Sequence, residues 1–132
     1  MEEQKAEVEE LDLDNNGPQG RERRQYPRHA LRTEATLYLL RPLATVEATI
    51  LDLSMGGCRL RLVRRIPLDI RLRAEVGFSF EGLPFRVGGV IQAVHTREEV
   101  GIRFVDLSER NQRRIAGLIV AIEEHNEQIA DL

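Results

Sequence analysis

Apolar and polar residues alternate one by one through much of residues 33–104, and this pattern limits the chain to few folds. It is clearest on the two sides of a glycine pair, where the apolar positions are Val46, Ala48, Ile50, Cys58, Leu60 and Leu62. A period of two residues is typical of a strand that buries one face and exposes the other. The pattern therefore predicts half-buried strands packed around one core.

Six segments carry this pattern, at residues 33–40, 46–53, 58–62, 70–80, 83–96 and 100–104. The connections are short and no strand–helix–strand repeat occurs, so neighbouring strands are expected to be antiparallel. An amphipathic helix follows at about residues 107–129, with apolar residues at helical spacing: Ile115, Leu118, Ile119 and Ile122. The predicted fold is mainly β, a six-stranded antiparallel β-barrel with a C-terminal α-helix.

Particular residues refine this prediction. Ile70 begins the row of apolar side chains expected on the buried face of the fourth segment. In the fifth segment Gly88 and Gly89 predict a bulge or sharp bend, and Ala93 is expected to face inward beyond it. Asp106 is the expected N-cap of the helix, because an acidic residue with Glu three positions later is a common helix start.

The length of 132 residues and the hydrophobic content of 42% predict a single domain with a buried core. The net charge of −3 is unevenly distributed: residues 1–20 contain seven acidic side chains and one lysine, which leaves about +3 on residues 21–132. We expect residues 1–20 to form a disordered acidic tail and residues 21–132 to form the domain. Within it we expect a basic arm at 21–29 and a barrel at about 33–105.

Several functional classes are disfavoured by what the sequence lacks. No apolar run is long enough to cross a bilayer and no secretory signal is present, so a cytoplasmic protein is expected. The histidines His29, His95 and His125 lack metal-site spacing, and the single cysteine, Cys58, lies on the apolar face of its strand. Neither a nucleophile elbow nor a phosphate-binding loop occurs. We therefore expect a binding protein without catalytic residues, metal or cofactor.

The first candidate site is the turn between the second and third segments. Asp52 and Ser54 offer hydrogen-bond acceptors and one hydroxyl donor, and Gly56 and Gly57 permit positive φ and close approach of a ligand to the backbone. A polar, planar ligand suits such a turn, although the same residues also form ordinary hairpin turns. Arg59 and Arg61, which follow on the polar face, are expected to be solvated rather than bound to ligand.

The second candidate is the basic arm. Arg24 and Arg28 are four residues apart around Tyr26 and Pro27, so two guanidinium groups lie on a short, stiffened segment. Guanidinium is a planar fork of donors suited to phosphate or to the edge of guanine. The alternative is an arginine-rich, solvated linker.

Taken together, Arg24-x-x-x-Arg28 and Asp52-x-Ser54-x-x-Gly57 resemble the two-part signature of PilZ domains, bacterial receptors for cyclic di-GMP. The resemblance extends over about residues 21–122. It implies a six-stranded barrel with a helix, and cyclic di-GMP held between the arm and the turn. Arg23 directly precedes the motif, and in this family an arginine there implies two stacked copies of the ligand. A solvated arm charge is the alternative for Arg23.

These implications define a non-enzymatic second-messenger receptor that signals to an unknown downstream protein, without binding DNA or inserting into a membrane. One alternative is an adaptor of the same fold that acts without ligand through protein contacts, for example along residues 109–129. Another is a small barrel that binds single-stranded RNA, favoured by the arginines and weakened by the scarcity of aromatic residues for stacking.

Overall fold

The computed structural model describes residues 26–95, 98–105 and 107–130. These residues form six strands and one helix: β1 (His29–Leu40), β2 (Leu43–Leu53), β3 (Gly57–Leu62), β4 (Arg73–Phe80), β5 (Leu83–Val94), β6 (Glu99–Phe104) and α1 (Glu109–Ala130). The predicted acidic tail and the arm positions Arg23 and Arg24 lie outside the described residues. The first strand begins at His29, which the sequence had suggested as the end of the arm.

The strands form a closed barrel in the order β1-β2-β3-β6-β5-β4, and β4 pairs with β1 to complete it. All neighbouring pairs are antiparallel. The interior is filled by the apolar residues of the alternating pattern, as in other small barrels; Leu37, Ile50, Leu60 and Ile91 are fully buried there. The predicted six-stranded antiparallel barrel with a C-terminal helix is confirmed.

The alternation in β2 changes phase at Leu51. Ile50 is paired with Leu60 and Asp52 with Arg59, so Leu51 is an extra residue in the ladder, a β-bulge. The bulge moves Leu53 into the core and turns Asp52 to the outer face, whereas uninterrupted alternation from Ile50 would have pointed Asp52 inward.

Helix α1 closes one end of the barrel. Its buried residues include the predicted Ile115, Leu118, Ile119 and Ile122, which join the barrel core. The prediction of Asp106 as N-cap is wrong, because the helix begins at Glu109 and the Ser108 hydroxyl accepts a hydrogen bond from the Asn111 N–H at 3.3 Å. Among the described residues, no helix combines the length and apolar character needed to cross a membrane.

The C-terminal half of α1 is attached to the beginning of β1. The Asn126 side-chain amide donates to the Ala30 carbonyl oxygen at 2.9 Å. His29 Nδ1 lies 3.6 Å from Glu123 Oε2, and the His125 ring packs edge-on against Phe80 at a centroid distance of 5.7 Å. The start of β1 and the helix therefore form one connected surface.

Two local predictions are wrong. Strand β4 begins at Arg73, so Ile70 lies in the preceding loop and is 54% exposed. The bulge in β5 is at Gln92, between the pairs Ile91–Ile102 and Ala93–Gly101, and it leaves Ala93 only half-buried. The Gly88-Gly89 pair has a different role, because a Cβ on Gly89 would lie 2.5 Å from the Arg103 carbonyl oxygen. The absent side chain lets β5 pack closely on β6.

The two neighbouring glycines provide a matched test of this packing. Gly89→Ala is expected to reduce the free energy of unfolding by about 1–3 kcal/mol, because the clash is with backbone that must shift. A Cβ on Gly88 meets no atom within 4 Å. Gly88→Ala is therefore expected to be neutral, or to stabilise by up to about 1 kcal/mol because alanine lowers the conformational entropy of the unfolded chain. Urea denaturation of both variants measures the difference, and equal stabilities would contradict the assigned close contact.

Candidate functional site

The register between β1 and β2 brings Arg28, the last residue of the first predicted motif half, to the same end of the barrel as the second half. His29 is paired with Leu53 and Ala30 with Asp52. Arg28, directly before His29, therefore lies at the level of the turn that follows Leu53. Arg28 is exposed. The other predicted arm residues, Arg23 and Arg24, precede Tyr26 and are outside the described part of the chain.

Ser54 holds the turn between β2 and β3 in shape. Its backbone N–H donates to the Gly57 carbonyl oxygen at 2.8 Å. Its hydroxyl accepts from the Gly56 N–H at 3.2 Å and donates to the Gly57 carbonyl oxygen at 3.3 Å. The turn is thus closed by its own polar groups.

The two turn glycines serve close contacts, and neither uses the positive φ that glycine permits. Within the described chain, positive φ among glycines occurs at Gly82 alone. A Cβ on Gly57 would lie 2.1 Å from the Ile102 carbonyl oxygen of β6. A Cβ on Gly56 would lie 3.2 Å from the ring of Tyr26. Gly57 therefore lets the turn pack on β6, and Gly56 leaves room for an aromatic ring.

Tyr26 contacts the turn, whereas the sequence had suggested it only as a neighbour of the arginines. Its ring packs over Gly56, and the side chain is still 41% exposed. The contact joins the arm to the turn. A single aromatic residue between arginines in a short arm was the available signal for this role.

Asp52 is the buried carboxylate of the site, at 7% exposure. Its Oδ2 lies 3.2 Å from Arg59 Nε in a cross-strand ion pair. The Nε atom is itself buried and makes no hydrogen bond to any described residue, so the pair lacks good hydrogen-bond alignment. Asp52 therefore keeps acceptor capacity beyond its contact with Arg59.

Glu99 on β6 extends this pair into a chain of four alternating charges. It lies 3.7 Å from Arg59 and accepts a hydrogen bond from Arg61 at 2.9 Å. That hydrogen bond, together with the positive charge of the two arginines and His95, lowers the pKa of Glu99 despite partial desolvation. Arg59 and Arg61 are partly exposed, as expected, but both are held in ion pairs.

The Cys58 thiol is buried in the barrel core, as predicted, and burial raises its pKa far above the ordinary thiol range. A neutral, inaccessible thiol is not a nucleophile. No group of three or more His, Cys, Asp or Glu side chains suited to a metal ion occurs in the parts of the chain that the structure describes.

The sequence model of the PilZ domain family matches residues 22–121. The chain belongs to the PilZ domain family, as its two-part motif and closed barrel indicated. No curated protein matches the chain.

Solved structures of PilZ domains share the fold. The PilZ domain of YcgR from Escherichia coli, solved with c-di-GMP, is 22% identical, with a TM-score of 0.71 over 83% of this chain and 98% of that chain. The MrkH–c-di-GMP complex from K. pneumonia is 18% identical, with a TM-score of 0.65 over 81% and 55% of the two chains. The PilZ domain of CeSA from a cellulose-synthesizing bacterium is 13% identical, with a TM-score of 0.64 over 74% and 98%.

The charge chain predicts a pH-dependent contribution to stability. The folded-state pKa of Glu99 is lowered, so its contribution is present above the unfolded carboxyl pKa of about 4.3 and is lost as pH falls through the folded value. Glu99→Gln should therefore cost about 0.5–1 kcal/mol at pH 7, and this cost should diminish as the pH is lowered below about 4. Denaturation of both proteins across pH measures the difference. A cost that stays constant would contradict the ion-pair assignment.

Proposed function

We propose that the protein is a non-enzymatic receptor that binds cyclic di-GMP between the basic arm and the Asp52–Gly57 turn. The observation that carries the proposal is the position of Arg28 at the same barrel end as the turn, with the Tyr26 ring packed over Gly56. Membership of the PilZ family supports it. The ligand named in the YcgR and MrkH structures supports the choice of cyclic di-GMP.

The residue types fit the ligand. Cyclic di-GMP presents two phosphates and two guanines, and arginine can pair with a phosphate, meet the guanine O6 and N7 edge, or stack on its face. We assign these roles to Arg24 and Arg28. We assign to Asp52 the N1 and N2 hydrogens of a guanine, which need a carboxylate acceptor. Ser54 would bond a base or phosphate oxygen.

Arg59 is assigned a positioning role. Its guanidinium lies against Oδ2 of Asp52 and is itself held toward Glu99, which is bonded to Arg61. An oriented, ionised carboxylate costs less to order when the ligand arrives. Gly57 permits the turn to lie close to β6, and Gly56 leaves space for the Tyr26 ring or for a flat base in its place.

The arm also provides a route for the signal. Arg28 directly precedes the first pairs of β1, where Asn126 of α1 bonds the Ala30 carbonyl and Glu123 approaches His29. An arm that is ordered over the ligand would change the surface formed by the start of β1 and α1. A downstream protein would recognise that altered surface, because a ligand shifts the balance between two conformations by its differential affinity for them.

Loss of any one principal contact should weaken binding strongly. Arg24→Ala, Arg28→Ala and Asp52→Ala are each expected to cost about 2–4 kcal/mol of cyclic di-GMP binding, since each leaves a charged partner group unsatisfied. Isothermal titration calorimetry with GTP and cyclic AMP as competitor ligands measures affinity and selectivity. The matched control is Arg110→Ala on the exposed surface of α1, which removes one guanidinium and should bind like the parent.

Parent-like binding by all three variants would refute the site assignment. Absence of binding by the folded parent would refute the receptor function and favour an adaptor that acts by protein contact alone.

The ligand stoichiometry tests Arg23. We propose that Arg23 binds the second member of a stacked cyclic di-GMP dimer, because stacked guanines each need a cationic or hydrogen-bonding partner. Titration should then give a stoichiometry near two for the parent and near one for Arg23→Ala. A stoichiometry of one for both proteins would show that Arg23 is a solvated arm charge.

A further inference from the structure

The barrel end opposite the candidate site is closed by the long loop between β3 and β4, residues 63–72. Ile66, Leu68 and Leu72 of this loop pack against the barrel core. The loop is fixed at both ends: the Val63 N–H donates to the Glu47 carbonyl oxygen at 3.0 Å, and the Arg71 N–H donates to Ile91. The loop therefore forms a cap on the barrel that is anchored at both ends.

The cap leaves apolar side chains in solvent. Together with the neighbouring β1–β2 turn it exposes Leu43 by 86%, Val63 by 63% and Ile70 by 54%. These side chains come from two separate chain segments at this end of the barrel. β1 ends beside the start of β4, where Leu39 pairs with Ala74, and β3 ends beside β2, where the Val63 N–H bonds Glu47. Exposed apolar residues at one end of a barrel favour an interaction surface there.

An arginine lies within two residues of each of these side chains in the sequence. Arg41, Arg64 and Arg71 are exposed and form no ion pair with any residue that the structure describes. We call the surface formed by these six residues the distal patch: Arg41, Leu43, Val63, Arg64, Ile70 and Arg71. Its composition fits a partner segment in which acidic and apolar residues alternate.

Arg71 is held in an unusual conformation. Its φ is 73°, a region that residues with side chains rarely adopt. Glycine would be less strained at this position. An arginine in such a conformation is consistent with a role for its side chain in binding.

We propose that the distal patch binds the acidic N-terminal segment of this same chain, residues 2–14. This segment contains seven acidic side chains and one lysine, with Ala6, Val8, Leu11 and Leu13 interspersed among them. The acidic groups would pair with the three arginines, and the apolar side chains would cover Leu43, Val63 and Ile70. The proposal does not depend on cyclic di-GMP.

The connecting chain is long enough. The arm begins at the site end of the barrel, where Tyr26 contacts Gly56, and β1 extends for 12 residues toward the distal patch. These residues span about 40 Å along the strand, and less along the barrel axis because strands tilt. Residues 15–25 extend to about 36–40 Å, so residue 14 can reach the patch. Covalent attachment raises the effective concentration of the segment to about the millimolar range.

Paramagnetic relaxation enhancement in the full-length chain tests the proposal. A nitroxide on Gln4→Cys labels the acidic segment at a position without an assigned contact, while the native Cys58 thiol is buried and stays unmodified. Amide signals of Arg41, Leu43 and the non-proline residues of 63–72 should lose roughly half their intensity or more in low salt and recover at about 1 M salt, where the Debye length is about 3 Å.

Two variants address the patch directly. Arg64→Glu reverses a charge in the loop, and its matched control is Arg110→Glu on α1. Arg71→Gly removes a guanidinium while relieving backbone strain, so unfolding cannot explain its effect. Arg64→Glu and Arg71→Gly should each reduce the enhancement at the distal patch at least twofold, by loss of an unscreened charge pair, whereas Arg110→Glu should leave it unchanged.

Each other outcome overturns the proposal. Enhancement centred on residues 26–30 and 54–57 would place the acidic segment on the basic arm. Uniform or absent enhancement would show no docking. Distal-patch signals that respond to vesicles of anionic lipid, with no effect from the nitroxide, would identify a lipid surface as the occupant in place of the acidic segment.

Discussion

The bulge at Leu51 determines which side chains near the turn face outward and which face the core. In β2 the even-numbered residues face the core up to Ile50, and after the bulge the next core-facing residue is Leu53, so an ionisable group lies outside the apolar interior. Without the bulge, Asp52 would enter the core, where an unpaired carboxylate is costly. The same phase change pairs Leu53 with Cys58, which keeps the interior continuous up to the turn. The site and the core therefore depend on one extra residue.

Much of the architecture follows from the sequence. The period-two pattern defined the strands and the helical spacing defined α1, because burial dominates both signals. The errors occurred where backbone detail overrides the pattern. Ile70 has the even number of the buried residues in β4, so the alternation assigned it to that strand. The unusual backbone conformation at Arg71 separates it from the strand. Gly88 and Gly89 suggested a bulge, whereas Gly89 serves a close strand contact and the bulge is at Gln92, a residue with no distinctive local signature.

The site was predictable in part. A hairpin with a two-residue loop at Met55 and Gly56 pairs Leu53 with Cys58 and Asp52 with Arg59. The ion pair between Asp52 and Arg59 could therefore be predicted from the turn alone. The contacts of Glu99 could not be predicted in this way. Glu99 reaches Arg59 and Arg61 through the pairing of β3 with β6, and two other strands lie between these in the sequence. The Tyr26 contact likewise depends on the path that the arm takes across the barrel end, which no local pattern specifies.

Closure of the barrel restricts how this protein can communicate. In a ring of six strands every strand has two neighbours, so no edge offers unpaired backbone groups to another chain. Recognition by strand addition, which many small β-domains use, is unavailable to the closed ring. Partners must instead read side chains on loops, on the arm or on α1. Surface segments of this kind tolerate substitution better than a packed core does, so a barrel of this type can acquire a new partner without altering its interior.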